Sequence, residues 1–256
     1  MHKRLLFLIL FVLAGCDGVD PPENLATEVT LLVVYTPDAA AAAVDIDAAI
    51  AAAVAETNVV FANSRVDVAL TVVGAREIEY TTTERLQDLA YLVGREDGVL
   101  DEVHTLRDEV EADLVALFTN DPASTINAAV MATPATAFVA IYWRQAGATG
   151  YALAHELGHL FGARHTPDSD PLALPLPYGH GFRNETYRTI MANGPQTRVP
   201  YFSGPDQVYL GVVLGDSALS DVARLLRETA VYVSNFRGSQ TETAFVPPGT
   251  WPIVNP

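Results

Sequence analysis

The sequence predicts an α/β fold followed by a smaller, irregular C-terminal part, and three observations carry that expectation. Short β-branched runs alternate with stretches whose apolar residues recur every three or four positions. Prolines crowd together after residue 165, at positions 167, 171, 175 and 177, where the regular periodicity stops. The 256 residues are 50% hydrophobic, enough to bury a sizeable core.

The chain opens with Lys3 and Arg4 and then ten consecutive apolar residues, 5–14. A helical membrane span needs about twenty such residues, so residues 1–15 read as a signal peptide. Leu13-Ala14-Gly15-Cys16 closes this stretch and resembles a bacterial lipobox. In such signals the cut falls before the cysteine, whose thiol is lipidated. An ordinary cleaved signal with a coincidental cysteine is the alternative. Residues 16–28 then form a short tether, and acyl chains on Cys16 would hold the protein on a membrane, outside the cytoplasm, without spanning it.

Residues 29–35 are β-branched and apolar and read as a buried strand. Pro37 and Asp38 open a helix that runs to about residue 63, with Ile46, Ile50, Ala53, Val54, Thr57 and Phe61 on one face. Residues 66–73, extending to 78, alternate as a second strand, and strand–helix–strand order favours a parallel pair. Helices are expected at 83–93 and 99–111, and strands at 113–119 and 136–143. A short edge strand over 126–131 is placed between those two strands, and a last amphipathic helix over 218–236. The domain thus covers 29–237, with one subdomain to about residue 165, a second over 166–237, and a proline-containing tail at 238–256.

Charge and cysteine content exclude several function classes. Net charge is -16, from 14 Arg, one Lys (Lys3) and 31 Asp plus Glu. Removing residues 1–15 leaves 13 Arg against those 31 acids, a balance of -18. Such a surface repels nucleic acid and anionic lipid. A single cysteine excludes an intramolecular disulfide framework and any thiolate metal cluster. Nothing bears on oligomeric state, so a monomer is the default.

The chemistry concentrates in His155-Glu156-Leu157-Gly158-His159-Leu160-Phe161-Gly162-Ala163-Arg164-His165. On a helix, His155 and His159 stack on one face and reach one point. Glu156 lies one residue round and flanks that point, as a general base should. His165 is six residues further on; a continuing helix would carry it about 240° round and about 9 Å along. It joins the other two only if the chain turns back, and Gly162 supplies a residue free to take positive φ there. Three imidazoles suit one zinc ion with a fourth position open to water, whose pKa zinc can bring down to about 7.

The same residues, with Thr189-Ile190-Met191-Ala192 downstream, resemble the metzincin clan of zinc endopeptidases. Tyr178-Gly179-His180-Gly181-Phe182, residues 187–191, Tyr201-Phe202-Ser203 and Val33-Val34-Tyr35-Thr36-Pro37 look like the bacterial reprolysin-like enzymes, including peptidyl-Asp metallopeptidases. The resemblance implies a zincin-like α+β fold. Its parts would be a twisted mixed sheet, an active-site helix, and a C-terminal subdomain holding a methionine turn and a final helix. It also implies His155, His159 and His165 as zinc ligands, Glu156 as the base, and Met191 as the apolar floor beneath them. Two positions depart from the pattern: Asn193 stands where several groups carry tyrosine, and Thr166 where many carry aspartate. No bulky pro-domain or cysteine-switch segment is expected.

Substrate recognition is read from weaker signals. The 126–131 edge offers backbone hydrogen bonds to an extended peptide, or is merely a loop. Arg198, Tyr201 and Phe202 are candidate pocket walls. Arg183, Arg188 and Arg198 form a basic cluster that would favour acidic side chains if one lines the pocket; structural ion pairs are the alternative. His180 is expected in a turn and His104 on a solvated helix face. Asp168-Ser169-Asp170 offers carboxylates to a calcium ion, though a solvated acidic loop reads better. The sequence thus points to a lipid-anchored zinc endopeptidase acting on proteins or peptides. A zinc-binding surface lipoprotein without catalysis is the second reading.

Overall fold

The computed structural model describes residues 26–147, 150–172 and 176–237. The expectations for the leader, for Cys16 and for the tail at 238–256 concern residues outside these. The elements run β1 (Thr27–Tyr35), α1 (Pro37–Ala43), α2 (Ile46–Asn63), β2 (Val68–Glu77), α3 (Arg85–Val93), α4 (Asp101–Glu109), β3 (Leu114–Thr119), β4 (Ile126–Asn127), β5 (Phe138–Tyr142), α5 (Trp143–Ala146) and α6 (Ala152–Leu160). They continue with β6 (Tyr187–Arg188), β7 (Thr197–Arg198), β8 (Gly204–Tyr209), β9 (Val212–Leu214) and α7 (Val222–Val233).

A five-stranded sheet in the order β2-β1-β3-β5-β4 forms the first layer. The β1–β2, β1–β3 and β3–β5 pairs are parallel, and only β4, on the edge, runs antiparallel. This is the mixed sheet expected, with the predicted parallel pair at its start. Central strands of such a sheet are covered on both faces, so they read as unbroken apolar runs. Every residue of β3 is buried, and the alternate residues of β5 divide between two cores. Val139 and Ile141 pack with α2 and α6, while Phe138 and Ala140 pack with Leu92 of α3 and Val103 of α4.

Local differences from the sequence reading have physical causes. The first expected helix is two helices, because Val44 takes φ 66° and stands 94% exposed, and the Asp45 side chain then caps α2 by accepting from Ala48 N–H at 2.9 Å. The edge strand keeps two of its six expected residues. His104 is not on a solvated face: it is buried against Phe138, and its Nε2 bonds the Gly94 carbonyl. Its neighbour Arg107 is fully buried too, donating to the carbonyls of Ala112 (2.9 Å), Pro134 (2.6 Å) and Asp113. A cation so placed ties α4 to the start of β3 and to the loop before β5.

Beyond α6 the chain is irregular, as the prolines imply, but it is not featureless. Strands β6 and β7 form a two-residue parallel pair, and β8 and β9 a hairpin. Gln207 and Asn63 fasten this region to the end of α2 through Ser64 O and Pro200 O. Helix α7 buries Val222, Leu225, Leu226 and Val233 in the main core. The whole assembly presents α6 beneath the free edge of the sheet.

Candidate metal centre

Helix α6 carries the first two histidines, and all nine of its residues are buried. The helix ends where the sequence requires: Gly162 takes φ 108°, with its N–H on His159 O at 2.8 Å and Ala163 N–H on Gly158 O at 2.9 Å. The chain then reverses, and Arg164 pairs with His180 in an isolated bridge. His180 Nδ1 meets His165 O at 2.8 Å, so this buried histidine steadies the turn that presents His165.

The three Nε2 atoms converge. They stand 3.2 Å (His155–His165), 3.2 Å (His155–His159) and 3.1 Å (His159–His165) apart. Three ligands at zinc–nitrogen lengths of about 2.0 Å and tetrahedral angles would be about 3.3 Å apart, so the triad already has the spacing of a zinc site. The opposite ring nitrogens settle what the convergence means. His155 Nδ1 bonds Ile190 O at 2.8 Å and His159 Nδ1 bonds Ala163 O at 2.7 Å. Carbonyls only accept, so both Nδ1 atoms carry the proton and both Nε2 atoms present bare lone pairs. Lone pairs facing one another at this range are satisfied by a cation. Among the described residues this is the one group of three that could hold a metal ion.

Electrostatics agree. Burial holds the His155 pKa well below its ordinary value and that of His159 down to about 4, with the neighbouring imidazoles adding to it. His165 is lowered by burial as well. All three are therefore neutral at pH 7, the form that donates to a metal. Glu156 is moved the other way, to about 8, because burial penalises its charge; Arg198 and then Arg85 oppose that rise.

Met191 lies fully buried under this helix. A Cβ on Gly158 would stand 2.5 Å from Met191 Sδ and 3.2 Å from Phe202 Cε1. Glycine at the centre of the motif therefore lets the methionine floor approach the ligand helix. Sequence reasoning passed over this residue, although a glycine inside a helix, where it costs about 1 kcal/mol, is a signal of close approach.

The substrate-pocket candidates separate. Phe202 is a correction: it is 0% exposed and stacks on Phe61 at 5.8 Å between ring centroids, so it supports α6 from below and lines no pocket. Tyr201 is half-buried and meets Tyr209, which also meets Tyr187. Arg198 is half-buried, donates one Nη1 bond to Gly150 O, and keeps a buried Nε without a partner. Its charge acts on His155, Glu156 and His165 alike.

The other two arginines of the basic cluster are structural. Arg183 holds Asn193 O at 2.7 Å and pairs with Asp168, while Arg188 donates to Gln196 O and Ala192 O, each at 2.9 Å. Arg164 takes both oxygens of Asp170 at 2.8 Å. The two carboxylates considered for calcium are thus each matched to an arginine. Thr166, where aspartate was noted as common, is buried and bonds Ser169 at 2.9 Å. The expected edge pairs only over Ile126–Asn127; further on Met131 takes φ 60°, and Met131 and Ala132 donate to His159 O (2.9 Å) and Leu160 O (2.8 Å).

Residues 26–203 match the family model Reprolysin_5, metallo-peptidase family M12. The chain belongs to that family. It is 38% identical over 196 residues to a peptidyl-Asp metalloendopeptidase of Stenotrophomonas maltophilia (strain R551-3), an alignment covering 72% of this chain and 46% of the relative. A peptidyl-Asp metalloendopeptidase of Xanthomonas campestris pv. campestris is 36% identical over 192 residues, with the same coverages. The chain therefore spans about half the length of the curated relatives it matches. A chain in the structure of a chaperone–substrate complex superposes with a TM-score of 0.68 at 20% identity, over 84% of this chain and 35% of that one. That likeness concerns the fold. The M12 constellation of a zinc metalloendopeptidase, three histidines and the intervening glutamate, is complete in this chain.

Proposed function

We propose that this M12 chain is a zinc-dependent endopeptidase that cuts proteins beside acidic residues, working outside the cytoplasm on an acyl anchor at Cys16. The observation that carries the catalytic part is the convergence of three Nε2 atoms, two of them bare by their Nδ1 hydrogen bonds, with buried Glu156 next to His155 on the same helix. Zinc held by the triad would supply Lewis-acid polarisation of the scissile carbonyl and stabilise the negative charge that develops on it. The protein's own residues do the rest. His155 and His159 are locked as Nε2 donors by the carbonyls of Ile190 and Ala163. Glu156 takes the proton of the attacking water and then delivers it to the leaving amine.

Acid preference is supported by two things. The relatives are named for cleavage at Asp. Arg198 is the cation in the C-terminal subdomain that acts on the catalytic groups while retaining an unused donor. The anchor rests on the residue pattern around Cys16. Digesting an unfolded protein and identifying the cut sites by mass spectrometry tests the specificity: cuts beside Asp and Glu are expected, and Arg198→Gln relaxes them. Cuts flanked only by apolar residues on the primed side would overturn it. The mass of the mature N-terminal peptide tests the anchor, and a cleaved leader with unmodified Cys16 would overturn that part alone.

A further inference from the structure

The β8–β9 hairpin turns an apolar face to solvent. Val208 pairs with Val213 and Tyr209 with Val212, so Leu210 and Gly211 make a two-residue turn. Side chains alternate between the two faces of such a ribbon. Tyr209 turns inward, its ring centroid 5.2 Å from that of Tyr187 and 5.9 Å from that of Tyr201. Val208 and Val213 stand side by side on the outer face, 52% and 47% exposed. The solvent face of an antiparallel pair is ordinarily polar. The tip departs from the usual pattern as well. Leu210 and Gly211 take φ 47° and 82°, and a turn with positive φ at both central residues favours Asn-Gly or Asp-Gly. Leucine fills the first of these positions and is 78% exposed. Packing within the chain accounts for neither choice.

The hairpin is fastened close to where the chain enters the fold. Gln207 donates to Ser64 O at 3.1 Å, and Phe202 N–H donates to Ser64 Oγ at 2.8 Å. Three residues after Ser64, the carbonyl of Asp67 accepts from Thr27 N–H at 2.8 Å, where β1 begins. Cys16 is ten residues before Ala26, the first residue described, and ten residues span at most about 36 Å. An acyl group on Cys16 would keep a bilayer within reach of the hairpin. Charge narrows what this face can meet. Residues 199–223 contain Asp206, Asp216 and Asp221 and no Lys or Arg. An anionic headgroup, or an acidic peptide of the kind proposed as substrate, is repelled there, whereas a zwitterionic surface is not.

We propose that the β8–β9 hairpin is a membrane contact: Leu210 at the tip, with Val208 and Val213 beside it, enters the interface of a zwitterionic bilayer and sets how the catalytic domain stands on it. The choice of a bilayer as the occupant rests on the acyl-anchor reading of Cys16 above. The acyl chains hold the protein at the surface. Three apolar side chains on a braced ribbon add a shallow, oriented contact whose strength scales with the apolar area buried.

The test titrates the zinc-loaded chain from residue 16 onward, carrying Cys16→Ser so that no acyl group contributes, with phosphatidylcholine vesicles. Sedimentation should show binding that rises with lipid, and Leu210→Asp should lower the partition coefficient about tenfold or more. Adding phosphatidylglycerol to the vesicles should weaken binding. Asp is favoured at that turn position, so the urea midpoint of Leu210→Asp should not fall. Cys16→Ser removes the single cysteine, which lets a polarity-sensitive dye be placed on Leu210→Cys or, as a control, on Val231→Cys, an exposed position of α7. With vesicles the dye at 210 should shift to shorter wavelength and the dye at 231 should not. No shift at 210, equal shifts at both positions, or binding unchanged by Leu210→Asp overturns the proposal. A concentration-dependent dimer that Leu210→Asp abolishes also overturns it, giving this face to a second copy. Because the titrated chain carries no acyl group, its result is independent of Cys16 in the native protein, where an unmodified thiol overturns the anchor alone.

Discussion

Replacing Gly158 with alanine separates the reading of the ligand helix from ordinary helix propensity. In an unconstrained helix the change stabilises by about 1 kcal/mol. Here the new methyl would stand 2.5 Å from Met191 Sδ, 3.3 Å from Met191 Cε and 3.2 Å from Phe202 Cε1, and both neighbours are 0% exposed. Carbon contacts settle near 3.5–4.0 Å, so the methionine must move by about 1 Å in a site with no room to give. Overpacking of this kind costs about 1–3 kcal/mol. The upper part of that range applies, and the net effect is a loss of about 1–2 kcal/mol. Urea unfolding in the presence of chelator reads it without the contribution of metal binding. In a Met191→Ala background, already destabilised by about 2–5 kcal/mol, only the 3.2 Å approach to Phe202 Cε1 is left, and Gly158→Ala should destabilise clearly less than in wild type. A gain of about 1 kcal/mol from Gly158→Ala in the wild-type background would refute the reasoning, because it would mean that the methionine floor does not press on the helix.

Three further outcomes follow from the same geometry. The metal-free protein should have opposing pH limbs: His159, held at about 4 against an ordinary 6.5, contributes stability above about 6.5 that is lost as pH falls toward 4. Glu156, raised to about 8 against an ordinary 4.5, contributes stability below about 4.5 that is lost as pH rises toward 8. Glu156→Gln should therefore flatten the loss between pH 5 and 8 in a chelator-treated urea series, and an unchanged slope would count against the burial of that carboxylate. His159→Ala should abolish stoichiometric zinc binding measured by metal analysis after dialysis, while His180→Ala, which loosens the turn at His165, should weaken it by about 10–100-fold. Arg107→Met should destabilise by about 2–4 kcal/mol, since it strips two buried carbonyls and one part-buried carbonyl of their donor at the start of β3 and in the loop before β5; a change below about 1 kcal/mol would contradict that role.

The ligand set was legible in the sequence because its logic is local. Spacings of four and six residues, with Gly162 between, leave one arrangement in which all three histidines meet, and the φ of 108° is that arrangement. The buried strands were legible for a similar reason: residues 31–34 of β1 and 114–118 of β3 are covered on both faces and are apolar runs. What escaped depends on partners far along the chain. His104 and Phe202 have sequence surroundings compatible with exposure, and only the packing of α4 on β5 and of residue 202 on Phe61 buries them. The β8–β9 hairpin was missed because its strands are short and Val208 and Val213, paired across it, both face outward. The break at Val44 was hidden by good helix formers on either side; it is paid for by the Asp45 cap.

Zinc content and hydrolysis measured together on wild type and Glu156→Gln test the central claim most directly. One zinc per chain is expected in both proteins, with cleavage of an unfolded acidic protein by wild type alone and its loss on chelation. One zinc per chain in both with no cleavage by wild type across varied protein substrates would contradict the account and leave a zinc-binding module in its place.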